Sequence, residues 1–175
     1  MHELFYSPVD VACIIGRHML PITDSMKLTR RIWQEDNAYL RSEYRSDYKK
    51  WALAVMYWSD YMQDKAAMDA EFSAVQEMCG GELSDESMLR DDFDMDLFFK
   101  DLRIRILFIS KNECVWMKLR TLLEDYGYKR RSREFVRFVK DRLYFYHIQT
   151  ALTGNHICDV ETMDRLDDRI TFRVL

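Results

Sequence analysis

The sequence predicts a mostly helical α+β chain. A helical bundle region spans residues 1–81, and a helix-turn-helix unit with a small antiparallel sheet spans residues 84–175. Three observations carry this. Only 5 Gly and 2 Pro interrupt 175 residues, which favours helices with short connections. Aromatic residues recur from Tyr44 onward in alternating steps of four and three, the rhythm of a helix with one buried seam. A basic amphipathic helix over residues 129–142 opens at Ser132, just after a turn at Gly127.

Taken in order, Ser7-Pro8-Val9-Asp10 opens a short helix that runs to residues 17–20, with proline at an early position. Pro21 ends it, because proline disfavours helical geometry in the residue before it. Thr23, Asp24 and Ser25 offer N-caps for a helix over residues 26–40, with Leu28, Ile32 and Trp33 on its apolar face. The seam Tyr44, Tyr48, Trp51, Val55, Trp58 and Met62 follows. It reads as a bundle core or, in the sharper reading, as a homodimer or partner interface. The rhythm changes register at residues 63–65, where the helix bends or two helices meet, and Gly80-Gly81 supplies a C-terminal cap.

Ser84, Asp85 and Glu86 start a helix over residues 85–100 that buries Met88, Leu89, Phe93 and Leu97. Residues 102–109 alternate with period two, Leu102, Ile104, Ile106 and Phe108 on one face, and read as a strand. Ser110 or Asn112 then caps a helix to Asp125 that Gly127 closes. In the basic helix, Phe135, Phe138, Val139 and Leu143 point inward, and Arg133, Arg137, Lys140 and Asp141 point outward. Residues 144–152 read as a strand, though Leu143, His147 and Ala151 also keep helical spacing. A polar connection leads to a last strand over residues 169–175.

Charge is unevenly spread. Residues 1–100 hold 11 Lys and Arg against 19 Asp and Glu; residues 118–142 hold 9 against 4, inside a chain of net charge −4. An acidic chain is not a generic nucleic-acid binder, yet phosphate attraction is local at physiological salt. No apolar run reaches 18 residues and no basic leader opens the chain, so neither a membrane span nor a signal peptide is expected. Cys13, Cys79, Cys114 and Cys158 lack paired spacing and read as reduced thiols of a cytoplasmic protein.

The acidic run 91–96 fails as a calcium loop. Counted from Asp92, position six is Leu97 where glycine belongs, and position twelve is Arg103 where glutamate belongs. His156 and Cys158, with His147, are too sparse for a zinc site. There is no GxSxG, P-loop, GxGxxG or HExxH, and the four histidines are scattered. No enzyme, cofactor or metal is expected.

The order helix, strand, helix, helix, strand, long connection, strand, together with the Gly127-Tyr128 turn, resembles that of winged-helix domains. The resemblance implies that the basic helix lies in the DNA major groove. Arg133 and Arg137, one turn apart, would reach guanine edges. Lys129, Arg130, Arg131 and Lys140 would meet phosphates, and Asn155 and His156 the backbone or minor groove. Double-stranded DNA is thus the expected partner of an intracellular regulator, and an acidic protein docked on the same face is the alternative.

Overall fold

A computed structural model describes residues 4–79, 92–128, 130–152, 156–163 and 165–175, with the side chains of 64–79 and 92–94 outside the description. The chain is mixed α+β and divides into two compact units, Glu3–Met88 and Leu89–Leu175.

The first unit is helical. Helix α1 (Pro8–Arg17) begins with a reciprocal cap. Ser7 Oγ accepts from the Asp10 amide at 3.2 Å, and Asp10 Oδ2 accepts from the Ser7 amide at 2.7 Å. It stops three residues before Pro21, and Met19 takes a left-handed φ of 47°. Pro21 thus ends no helix and instead precedes α2 (Ile22–Glu35). Thr23, Asp24 and Ser25 lie inside the first turn of α2 and do not cap it from outside. Ser25 Oγ donates to the carbonyls of Leu20 and Pro21. Two 3₁₀ turns, Asn37–Tyr39 and Ser42–Tyr44, lead to α3 (Tyr48–Cys79), one helix straight through residues 63–65. The Gly80-Gly81 cap and the start expected at 84–86 lie outside the described residues.

In α3, Trp51 and Val55 are fully buried, and the Trp51 indole donates to the Thr29 carbonyl at 3.1 Å. Tyr44, Tyr48, Trp58 and Met62 are half-buried beside them. Burial of Trp51 and Val55 gives them to the unit's own core, and at those two positions no partner chain can reach the seam. The face of α3 open to solvent carries Leu53, Met56, Tyr57 and Tyr61.

The second unit begins with α4 (Asp92–Ile104), which runs into a π-helical turn, Arg105–Ile109. The strand expected over 102–109 is therefore helical. Period-two alternation misleads here because the polar residue is not on a wet face. Every residue from Met95 to Ile104 is buried, and Arg103 sits inside, donating Nη1 to the Tyr146 carbonyl. A buried guanidinium is tolerated when its donors are used.

Strand β1 (Val115–Lys118) lies where the start of a helix was expected, and α5 is shorter, Leu119–Asp125. Ser110 Oγ accepts from the Asn112 amide and donates to the Cys114 carbonyl, so it holds a turn instead of a cap. Helix α6 (Arg133–Phe145) follows. His147, at φ 51°, then breaks the helix so that β2 (Ile148–Ala151) can start at once. This settles residues 144–152 as helix end, turn and strand. β3 (Arg169–Val174) stands between the other two in an antiparallel sheet of order β1-β3-β2. Val115 pairs with Phe172, and Thr150 pairs with Phe172 from the other side. Val115, Ile148, Ile170 and Phe172 are buried on one face, while Trp116, Lys118, Arg169 and Arg173 stand on the other.

Candidate nucleic-acid interface

The turn before α6 is closed by backbone bonds that glycine makes possible. Tyr128 N–H donates to the Leu123 carbonyl at 2.8 Å and Gly127 N–H to the Glu124 carbonyl at 3.1 Å, with Gly127 at φ 72°. That pair of bonds is the Schellman closure, and a side chain at the left-handed position would strain it. The Tyr128 ring packs on Phe135 at 4.8 Å, which ties the turn to the next helix.

Ser132 caps α6 as expected, accepting the Phe135 amide at 3.1 Å. Phe135, Val136, Val139 and Leu143 are the buried residues. Phe138, expected inside, is half-buried, and Val136 takes its place. At about 100° per residue, Val136 lies roughly 60° from the middle of the stripe set by Phe135, Val139 and Leu143, whereas Phe138 lies roughly 100° away. Phe138 is covered instead by the Arg142 guanidinium, 4.1 Å above its ring. Arg142 Nε in turn donates to Asp96 Oδ1 at 2.6 Å, a pair nearly closed to solvent.

The expected site residues divide by what they touch. Arg133 and Arg137 stand together on the outer face, and the Arg137 side chain is 86% exposed, with Asp141 at 4.0 Å. Arg130 is exposed in the turn. Arg131 is half-buried and its Nη1 donates to the carbonyls of Val160 and Met163 at 2.9 and 2.7 Å. Lys140 Nζ bonds Asp159 at 2.8 Å and Glu161 at 3.0 Å. These two hydrogen bonds hold the ammonium above its usual pKa, and the Lys140 bond holds the Asp159 carboxyl below its own. His156 is exposed. Lys129 and Asn155 lie outside the described residues.

Arg131, Arg133, Arg137 and Lys140 line one groove of about 440 Å³, with Val136 in its wall and Glu161 across from them. Arg130 and His156 do not line it. The arginines at the start of α6 supply donors for phosphates or base edges. Of the two carboxylates held by Lys140, Glu161 lines the groove, and Asp141 is the other acid in its wall.

Asp159 and Glu161 belong to the connection between β2 and β3. Three cations organise it. Arg120 of α5 grips Asp167 at 2.8 and 2.9 Å, Arg131 holds two carbonyls, and Lys140 of α6 holds Asp159 and Glu161. The bond to Arg120 holds Asp167 below its ordinary pKa. Burial pushes the Cys158 thiol up, away from the thiolate a metal would need. Among the described residues no cluster of three His, Cys, Asp or Glu is placed to hold a metal ion, and no helix is long and apolar enough to cross a membrane.

Two exposed features had signals that went unused. Tyr144, 87% exposed, falls on the Arg133–Arg137 side of α6 by helical spacing. Trp116 is 57% exposed, with the Arg169 guanidinium 3.8 Å above its ring. The alternation of Arg169-Ile170-Thr171-Phe172-Arg173 pointed to that wet sheet face. Comparison with family models, with curated proteins and with solved structures finds no match to this chain.

Proposed function

We propose that residues 84–175 form a winged helix-turn-helix domain that binds double-stranded DNA through the start of α6, in an intracellular regulatory protein whose N-terminal helices engage a partner or a second copy. The observation that supports this most is the exposed pair Arg133 and Arg137. They lie at the N-terminal end of a helix whose opposite stripe is buried. Donors and helix dipole there both favour an anion. The sequence of α4, β1, α5, α6, β2, β3 supports the reading, because it keeps the order helix, strand, helix, helix, strand, strand. For the N-terminal unit, the available partner surface is the Leu53, Met56, Tyr57 and Tyr61 face of α3.

A salt titration of duplex binding tests the reading. Affinity should fall linearly on a log–log plot, with a slope of about −0.9 per phosphate neutralised. Arg133→Ala with Arg137→Ala should weaken binding by roughly a hundredfold, since each well-made base contact is worth about 1–3 kcal/mol. The folded state should stay within about 0.5 kcal/mol, because both side chains are exposed. Absence of duplex binding at low salt, or binding untouched by the double substitution, sinks the proposal.

A second reading, a non-catalytic module that docks an acidic protein, is favoured by one observation. Asp141 and Glu161 line the groove beside Arg133 and Arg137, and such mixed charge suits an acidic protein that also carries cations better than a uniformly anionic phosphate backbone. Capture of a protein partner that Arg130→Glu with Arg133→Glu abolishes, in a protein without duplex affinity, would select it.

A further inference from the structure

The N-terminal unit contains an open-sided pocket of about 160 Å³ between α1, α2 and α3. Ile15 and Val55, both buried, and Leu20 form its apolar floor, while Ile22, Met26 and Met56 are exposed at its rim. A volume near 150 Å³ is enough to accept benzene. Four hydroxyl side chains stand in the wall, Tyr48 among them. Ser25 Oγ donates to the carbonyls of Leu20 and Pro21, and Thr29 Oγ1 donates to the Ser25 carbonyl at 2.7 Å. Ser59 Oγ is buried and has no hydrogen-bond partner. An unpaired buried hydroxyl is costly to the fold, and serine has staggered χ1 positions that would turn it toward a neighbouring cavity. Asp60, exposed, is the carboxylate beside the opening.

We propose that this cavity binds a small neutral molecule with an aromatic or branched aliphatic body and one hydrogen-bonding head. The body lies on Ile15, Leu20 and Val55, and the head pairs with Ser59 Oγ after a χ1 rotation. The apolar floor sets the body and the volume limits it to about the size of one substituted ring. Asp60 at the opening repels an anionic head. The site stands independently of DNA binding, because it rests on the first unit alone.

The test uses the whole chain with benzene, phenol and benzoate as probes, followed by amide chemical shifts and by thermal unfolding. Phenol should raise the unfolding midpoint with the logarithm of its concentration once above its Kd and shift the amides of Ile15, Thr29, Val55 and Ser59. It should bind roughly fivefold tighter than benzene, the worth of one net hydrogen bond. Benzoate should not bind. Ser59→Ala should keep benzene binding and erase the preference for phenol. Ala52→Leu, which fills the cavity, should abolish both. If Ala52→Leu does not fold, the shifts in the unaltered protein and the Ser59→Ala comparison decide the matter. No shift with either neutral probe, shifts elsewhere in the chain, or an equal preference for phenol in Ser59→Ala overturns the proposal.

Discussion

The cations of α6 and the turn before it are of two kinds. Arg131 and Arg142 are spent on the fold, one on two carbonyls of the β2–β3 connection and the other on Asp96 and the Phe138 ring. Arg130, Arg133 and Arg137 face water. Lys140 stands between the two kinds, half-open to solvent and held by two carboxylates. A basic run therefore overstates the positive charge offered to a partner. Neighbours far along the chain cancel part of it, and only the first turns of the helix keep theirs.

The sharpest way to break the contrast is Arg142→Ala. It leaves Asp96 as a buried carboxylate without its guanidinium, and losing one partner of a buried pair costs about 3–5 kcal/mol. Denaturant unfolding should show that loss. A change under 1 kcal/mol would move Arg142 into the displayed group.

That division was only partly legible in the sequence. The Ser132 cap, the Gly127 turn and the buried Phe135, Val139 and Leu143 follow from local rules, and so were read. The partners of Arg131, Lys140 and Arg142 lie 19 to 46 residues away, where no local rule reaches. The strand expected at 102–109 was lost for a related reason. Arg103 is buried because Tyr146, 43 residues on, offers a carbonyl. In the N-terminal unit the seam from Tyr48 to Met62 was legible, since one helix carries it, whereas Tyr44 stands before that helix in a 3₁₀ turn. Whether the seam's residues met their own chain or another depended on α1 and α2.

A second test works on Lys140 itself. Asp159→Asn with Glu161→Gln frees the ammonium and removes two negative charges from the groove. If the proposed function holds, duplex affinity should rise roughly tenfold at low salt and the salt slope should steepen by about one contact. An unchanged affinity would mean that this end of the groove does not meet DNA.

A smaller effect is expected from Ser132→Ala, which removes the side-chain acceptor of the Phe135 amide at the start of α6. Loss of such a cap costs about 1 kcal/mol and should be read by thermal unfolding. Duplex affinity should fall with it if helix order at Arg133 matters.

The smallest is a pH effect. The Asp159 carboxyl lies below its unfolded value because Lys140 bonds it. Its contribution is therefore whole above the unfolded pKa of about 3.9 and is lost as pH falls through the lower folded value. The Lys140 ammonium lies above its unfolded value, so its contribution is whole below about 10.4 and lost as pH rises through the folded value. Stability owed to this exposed, screened pair should thus be flat between pH 5 and 9, to about that precision. A slope in that window that Lys140→Met removes would contradict the assignment.

The place of β3 in the sheet bears on synthesis. It follows β1 and β2 along the chain yet stands between them, bonded to both. On the ribosome neither earlier strand has its neighbour until β3 has emerged. Meanwhile β1 and β2 each keep an unpaired edge beside the helices already made. Contacts this distant in sequence close slowly. Nascent chains of the second unit should therefore engage chaperones until β3 has emerged, and α1 of the first unit waits in the same way for α3, its main packing partner.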